Sequence, residues 1–211
     1  MPEKLLAELE DRGACMIRTL DISSLPYENR RGLNYAIIYT IPLRPQDEWD
    51  WPAFDRAEME GEALAKWLTQ ELNALGHEAY PHTLENVFNS DTLRSPLPNK
   101  TLAALAGLGW IGKNTLLISP EYGSAFSIAA LLTSAVLPAQ NMSSMVSRCG
   151  DCTLCRDVCG PGAIQGRLWK PGLPREQLLD ASLCAQCFQC LAQCPWTQRY
   201  RKRRPRQSGI T

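Results

Sequence analysis

Apolar positions in this chain change period along its length, and each period marks an element. Leucines 5, 6 and 9 share one face of a helix over residues 3–12, with Gly13 suited to its C-terminal cap. Residues 14–20 read as a strand, and 23–31 are polar and turn-rich. The run 35–41 (YAIIYTI) is almost unbroken apolar, β-branched and aromatic. That is the pattern of a central strand covered on both faces, closed here by Pro42 and Pro45. Met59, Ala63, Trp67, Leu68, Leu72 and Leu75 recur at three-to-four spacing, which predicts a long helix over 53–75 ending at Gly76. Residues 77–82 suit a short strand, 84–99 are irregular, and 100–106 suit a short helix. Residues 115–119 and 125–137 read as two strands joined by a turn at Tyr122-Gly123, the second with a helical alternative. Residues 138–148 form a link. A connection over 160–173 turns at Pro-Gly pairs 161–162 and 171–172, and 174–179 is a short helical piece.

The cysteines change the picture. Cys149, Cys152, Cys155 and Cys159, then Cys184, Cys187, Cys190 and Cys194, repeat C-x2-C-x2-C-x3-C twice, with Pro195 after the second run. This is the spacing with which two-cluster bacterial ferredoxins hold 4Fe-4S clusters: three cysteines of a run wrap one cluster, and the fourth crosses to the other. Cys149, Cys152, Cys155 and Cys194 are thereby assigned to one cluster, and Cys184, Cys187, Cys190 and Cys159 to the second. The crossover calls for two short helices packed antiparallel. Apolar sequence is sparse here, so metal binding is expected to be coupled to folding. Structural zinc, which favours paired C-x2-C units, and disulfides, which suit a secreted chain, are the alternatives. Cys15 stands far away, as a small buried hydrophobe would.

Length and composition, 211 residues and 45% hydrophobic, allow one domain of ordinary size plus a small module. Net charge is zero, but residues 199–211 carry six basic side chains and no acid, leaving the preceding body six charges negative. A basic tail on an acidic body invites a nucleic acid or an acidic partner; a frayed, solvated terminus is the plainer reading. No stretch reaches the roughly 18 apolar residues of a membrane span. The acidic amphipathic start is unlike a secretory signal, and Arg30-Arg31 sits too deep for a twin-arginine one. Thiolate ligands and oxygen-sensitive clusters fit a reducing cytoplasm.

Two further stretches carry candidate chemistry. Trp49, Trp51 and Phe54 lie among acids at 47–55, either to floor a flat ligand or to pack on the body. Gly107-Leu108-Gly109-Trp110-Ile111-Gly112-Lys113-Asn114 sets three glycines around a tryptophan, where backbone can approach a ligand closely. Its frame is neither that of a P-loop nor that of a dinucleotide-binding turn. His77 and His82 have no partner at ligand spacing and read as structural.

GLGWIGKN at 107–114, upstream of a double cysteine motif ending CPW at 194–196, resembles the epoxyqueuosine reductase family, which shares its core with the reductive dehalogenases. GLNYAIIYTIPL (32–43), EALAKWLTQELNALGHEAY (62–80) and SPLPNKTLAALAGLGW (95–110) extend the resemblance over roughly residues 30–197. It implies an α+β chain: a nitroreductase-like, cobalamin-processing-type α/β core over 1–143, a double 4Fe-4S ferredoxin-like domain over 144–198, and the basic tail 199–211. It implies an oxidoreductase that takes electrons from an external ferredoxin- or flavodoxin-type donor through two 4Fe-4S clusters to a bound corrinoid (cobalamin). Gly107, Gly109, Trp110, Ile111, Gly112, Lys113 and Asn114 are then expected against the corrinoid. An electron carrier or reductive activator without substrate chemistry is the alternative. The family's tRNA enzymes place a catalytic acid in a D-x-A/S-P frame. Here that frame reads Leu93-Arg94-Ser95-Pro96, and Asp91, two residues early, is the candidate replacement. Those enzymes also carry a helical-repeat extension, whereas this sequence stops soon after the cysteines. A short relative with nucleic acid as an unlikely partner is therefore expected.

Overall fold

The computed structural model describes residues 2–87, 89–92, 94–139, 142–170 and 172–203. Four strands, β1 (Cys15–Asp21), β2 (Tyr35–Pro42), β3 (Ala79–His82) and β6 (Phe126–Thr133), form an antiparallel sheet in the order β1-β2-β6-β3. β2 is interior and buried except at its ends, as its unbroken apolar run requires. Its alternation divides the core. Ile37, Tyr39 and Ile41 face α1 (Pro2–Asp11) and α2 (Trp51–Ala74), and pack with Leu9, Leu68 and Leu72. Ala36 and Ile38 face the other way, toward Leu102 and Ala103 of α4 (Asn99–Leu105). Helices thus cover both faces of an antiparallel sheet, and the chain is of mixed α/β type.

Helix α2 starts at Trp51 rather than Ala53. Asp50 caps it, its carboxylate accepting from the Ala53 N–H at 3.1 Å, and Pro52 suits the first turn. Trp51 and Phe54 consequently stand on the helix and not in a loop. The face turned to the sheet is Ala53, Ala57, Gly61, Ala65, Leu68 and Leu72, whereas Met59 is 63% exposed. At Gly61 a Cβ would lie 3.2 Å from that of Ala129, and Tyr39 Oη donates to the Gly61 carbonyl at 2.7 Å. Small residues therefore let the helix settle onto the strands.

The stretch expected to be irregular contains one helical turn, α3 (Leu84–Val87), and an isolated bridge between Asn89 and Arg94. Residues 126–133 resolve the helical alternative as strand. The expected partnership of 115–119 with the following strand does not form. Instead β5 (Leu117–Ile118) pairs with β4 (Trp110–Ile111), so the glycine segment is one arm of a hairpin. No helix among the described residues is long and apolar enough to cross a membrane.

The cysteine region has little regular structure. Single-turn helices α5 (Leu154–Asp157) and α6 (Gln189–Ala192) pack against each other, and a bridge joins Ile164 to Leu179. Helix α7 (Pro195–Arg201) then returns to the core: Tyr200 Oη donates to the Leu43 carbonyl at 2.7 Å, and Thr197 Oγ1 accepts the Ser124 N–H at 3.0 Å. The first residues of the basic segment belong to this docked helix. Arg204–Thr211 lie outside the described residues.

Candidate functional site

The two cysteine runs curl through left-handed backbone: Gly150 (φ 49) follows Cys149, and Gln186 (φ 50) and Phe188 (φ 58) flank Cys187. Non-glycine residues in that region are costly and persist where their surroundings hold them. Cys149, Cys152, Cys155 and Cys194 together line one cavity of about 220 Å³. Cys194 is the deepest of the eight, 5% exposed, and packs with Trp110 and Ile118 of the hairpin. Cys184 and Cys187 are exposed.

The electrostatics divide the thiols in the same way. Burial, with Cys149, Cys194 and Cys152 as neighbours, pushes the Cys155 thiol up to about 11. Burial, with Cys155, Cys184, Cys187 and Cys159 as neighbours, pushes Cys190 up to about 12. Burial also raises Cys194, opposed by N–H groups of Thr197 and Trp196 and by the Thr197 side chain. Cys155 and Cys190 are where the two sets approach. Thiolates gathered this way repel one another unless a cation binds among them, and binding would release their protons. Among the described residues no three His, Cys, Asp or Glu side chains are arranged around a single metal ion. A four-sulfur cavity of this size fits a cluster better than one zinc.

The inner cavity is completed by Lys113, Asn114, Ile118, Arg148, Pro195, Trp196 and Arg199. Trp110 and Trp196 meet edge to face at 5.0 Å, with Arg148 over the Trp110 ring and Arg199 over that of Trp196. The sequence did not mark Arg148, Trp196, Thr197 or Arg199 as site residues: Trp196 stood in the CPW motif and Arg199 in the basic segment, and Arg148 and Thr197 carry no signal beyond lying near the first and last cysteines.

The glycine segment lies elsewhere than against open space. Trp110 and Ile111 are buried in the hairpin ladder. A Cβ on Gly109 would sit 2.1 Å from the Ile118 carbonyl oxygen, and one on Gly112 would sit 2.3 Å from Ile118 Cδ1. The glycines answer to strand packing. At Gly109 and Gly112, then, the room a side chain would take is filled by Ile118 and Asn114 of the same hairpin. Lys113 and Asn114, at the turn, reach both cysteine runs instead. Lys113 Nζ donates to Gly150 and Cys152 carbonyls at 2.7 and 3.1 Å, and Asn114 Nδ2 to that of Cys190 at 3.4 Å. Gly107 opens the segment at φ +71, beside the Ser143 carbonyl.

Other candidates are dispersed. Asp91 is exposed in the turn between Asn89 and Arg94, and Leu93 lies outside the described residues. Thr92 and Arg94 line a second cavity of about 430 Å³ with Gln165, Arg175, Glu176 and Asp180. Trp49 is buried and stacks on Tyr200 at 6.5 Å, a packing role. Trp51 and Phe54 meet Phe188, beside Cys187, at 5.3 and 5.6 Å. His82 is buried, with Nε2 at 2.7 Å from the Leu97 carbonyl, and burial lowers its pKa. It is remote from the cysteines in its contacts, as a structural histidine would be.

Comparison with known proteins gives the same class. No family model matches the chain. Epoxyqueuosine reductase of Synechocystis sp. is 30% identical over 154 residues, covering 65% of this chain and 49% of that protein. That of Escherichia coli is 34% identical over 104 residues, 49% of this chain and 27% of that protein. The chain thus spans half or less of the curated relatives it matches. A solved epoxyqueuosine reductase bound to a tRNA-Tyr stem loop covers 93% of the chain at TM-score 0.61 and 17% identity, with 65% of that structure covered. A catabolic reductive dehalogenase bound to 3-bromo-4-hydroxybenzoic acid covers 92% at TM-score 0.73 and 18% identity, with 31% of its own length covered. The fold is that of the epoxyqueuosine reductases and reductive dehalogenases. In sequence, the chain is a relative of the epoxyqueuosine reductases. The expectation that nucleic acid is an unlikely partner finds no support, since one of these neighbours is a tRNA stem-loop complex.

Proposed function

We propose that the protein is an iron-sulfur oxidoreductase that accepts electrons from an external one-electron donor at a solvent-facing 4Fe-4S site and passes them to a more enclosed one. The observation that carries this is Cys194: it reaches back from the end of the second run to line one cavity with Cys149, Cys152 and Cys155, the crossover expected of a two-cluster site. Bound clusters would supply one-electron transfer, and the chain's own residues set its direction in space. Exposed Cys184 and Cys187 place the outer set within reach of a donor. Trp110 and Ile118, with Trp196 beside them, pack apolar surface against Cys194 of the inner set.

The acceptor beyond the inner set is the second part of the proposal. Another solved reductive dehalogenase, TM-score 0.69 and 18% identical, is described as carrying out B12-dependent dehalogenation. That supports a corrinoid acceptor for this chain too. The enclosed glycine hairpin favours the other reading, an electron carrier or reductive activator. Anaerobic reconstitution tests the core of the proposal. About eight iron and eight sulfide per chain are expected, from two clusters of four, and Cys194→Ser should perturb the cluster on Cys149, Cys152 and Cys155. Zinc uptake, or loss of the cluster on Cys187 and Cys190 in that variant, would overturn it. Cobalamin added to the loaded protein separates the two readings: uptake supports an enzyme with a corrinoid, and intact clusters without uptake support a carrier.

A further inference from the structure

Among the described residues lining the inner cavity, the charged side chains are cationic: Lys113, Arg148 and Arg199 are there and no carboxylate is. A 4Fe-4S core held by four thiolates carries net negative charge, and its potential rises with nearby cations and with hydrogen bonds to its sulfurs. Of the three, Lys113 is tied to the first cysteine run by hydrogen bonds. Its ammonium donates to two carbonyls of the first run, Gly150 and Cys152, and so is fixed beside the loop that wraps the inner site. The adjacent Asn114 holds the carbonyl of Cys190, a residue of the other set. Its Oδ1 is meanwhile pinned by the Leu116 N–H at 3.2 Å. Behind the turn, Lys100 Nζ donates to the Thr115 carbonyl at 3.0 Å, and Thr115 itself is held at φ 63.

We infer that the Lys113-Asn114 turn is a positioning device for the electron relay. Lys113, helped by Arg148, raises the potential of the inner cluster above that of the outer. Asn114 fixes the outer loop at a set distance from it. Electron flow from the exposed set to the buried set is then downhill. The inference rests on the two-cluster reading proposed above, and assigns to the chain's own residues a role distinct from seating a flat cofactor.

The test is redox titration of the reconstituted protein followed by electron paramagnetic resonance, with the two clusters resolved. Lys113→Gln and Arg148→Gln should each lower the inner potential and leave the outer one in place, and Lys113→Arg should restore it. Arg148→Gln leaves both Lys113 hydrogen bonds intact, so it reads charge even where Lys113→Gln loads poorly. Asn114→Ala should lose iron from the outer site to a chelator about tenfold faster, the usual scale for removing an outer-shell partner. Unmoved potentials in both Gln variants, with wild-type iron retention in Asn114→Ala, would overturn the inference. Loss of cobalamin uptake in those variants instead would assign the turn to the cofactor. Wild-type protein without about eight iron per chain would sink the proposed function first, a result distinguishable from the others because it precedes any variant.

Discussion

Lys100 shows how a single residue pays for its place. Its ammonium is buried beside Arg175, and burial, with that charge, lowers its pKa from 10.5 to about 8. Between those values the folded chain has released a proton that the unfolded chain still binds, so stability attributable to Lys100 rises with pH across that window. The wild type should therefore gain on Lys100→Met by up to about 1.4 kcal/mol per pH unit above pH 8, with a constant gap below it. Urea denaturation of the cluster-free protein at a series of pH values measures the gap, and taking the difference removes the titration of the shared thiols. A gap flat from pH 8 to 10 would show that Lys100 keeps its charge. Gly112 is the second case. A methyl group there meets Ile118 and the Asn114 side chain, so Gly112→Ala should cost about 1–3 kcal/mol, the usual range for overpacking, and loosen Asn114 from Cys190. Thermal unfolding reads the first effect and chelator release of iron the second. The chemistry at 107–114 was legible as residues, but its direction was not. Strands of two residues carry no period to read, so the turn that aims Lys113 at the cysteine loops could be found only in the folded chain.

At the scale of elements, the sequence was most readable where burial is two-sided and long. β2 announced itself through seven consecutive positions, whereas the alanine and leucine of β6 left a helix open as the alternative. Helix α2 was found, and Leu68 and Leu72 were rightly turned to the core, but its first half was faced wrongly. Met59 and Ala63 carry the hydrophobic period, yet small Ala57, Gly61 and Ala65 take the sheet-facing side, because Tyr39 and Ile41 fill the space a larger side chain would use. Its start was also missed, since the aromatic residues among acids at 47–55 resembled a loop. Asp50 decides it: Asp50→Ala should lower stability by about 0.5–2 kcal/mol, the range for losing an N-cap, and Asp50→Asn should recover most of it. Chemical denaturation of the pair checks this, and equal losses in both would mean that the carboxylate acts through its charge. Helix α7 was unreadable as such, because its arginines suggested a solvated tail. In the structure Arg201 lies 4.5 Å over Trp49 and Arg203 donates to the Glu121 carbonyl, so the cations snorkel across the core's edge.

Across the whole molecule, buried apolar material is unevenly shared, and that decides what iron does for stability. Both large clusters of buried side chains are built on the sheet and its helices. Among the described residues from Cys149 to Gln193 only Ala163, Ile164, Leu178 and Leu191 are buried, and the single-turn helices there cannot hold themselves together. On the proposed two-cluster reading, cysteine sulfurs take the place of a hydrophobic core here, and metal binding would be folding free energy for this part of the chain. Helix α7 differs: Tyr200 and Thr197 are tied to Leu43 and Ser124 of the core by hydrogen bonds that need no iron. Removing the metal should therefore open residues 149–190 while leaving the sheet, α2 and α7 folded. Hydrogen exchange by mass spectrometry, run on loaded and cluster-free protein, distinguishes the outcomes. Rapid exchange confined to 149–190 after metal removal is expected, with peptides from β2, β6 and α7 still protected. Protection retained across the cysteine loops would show that the core alone organises them, chiefly through Lys113 and Asn114. Loss of protection everywhere would show that the α7 contacts transmit the unfolding of the cysteine region into the sheet.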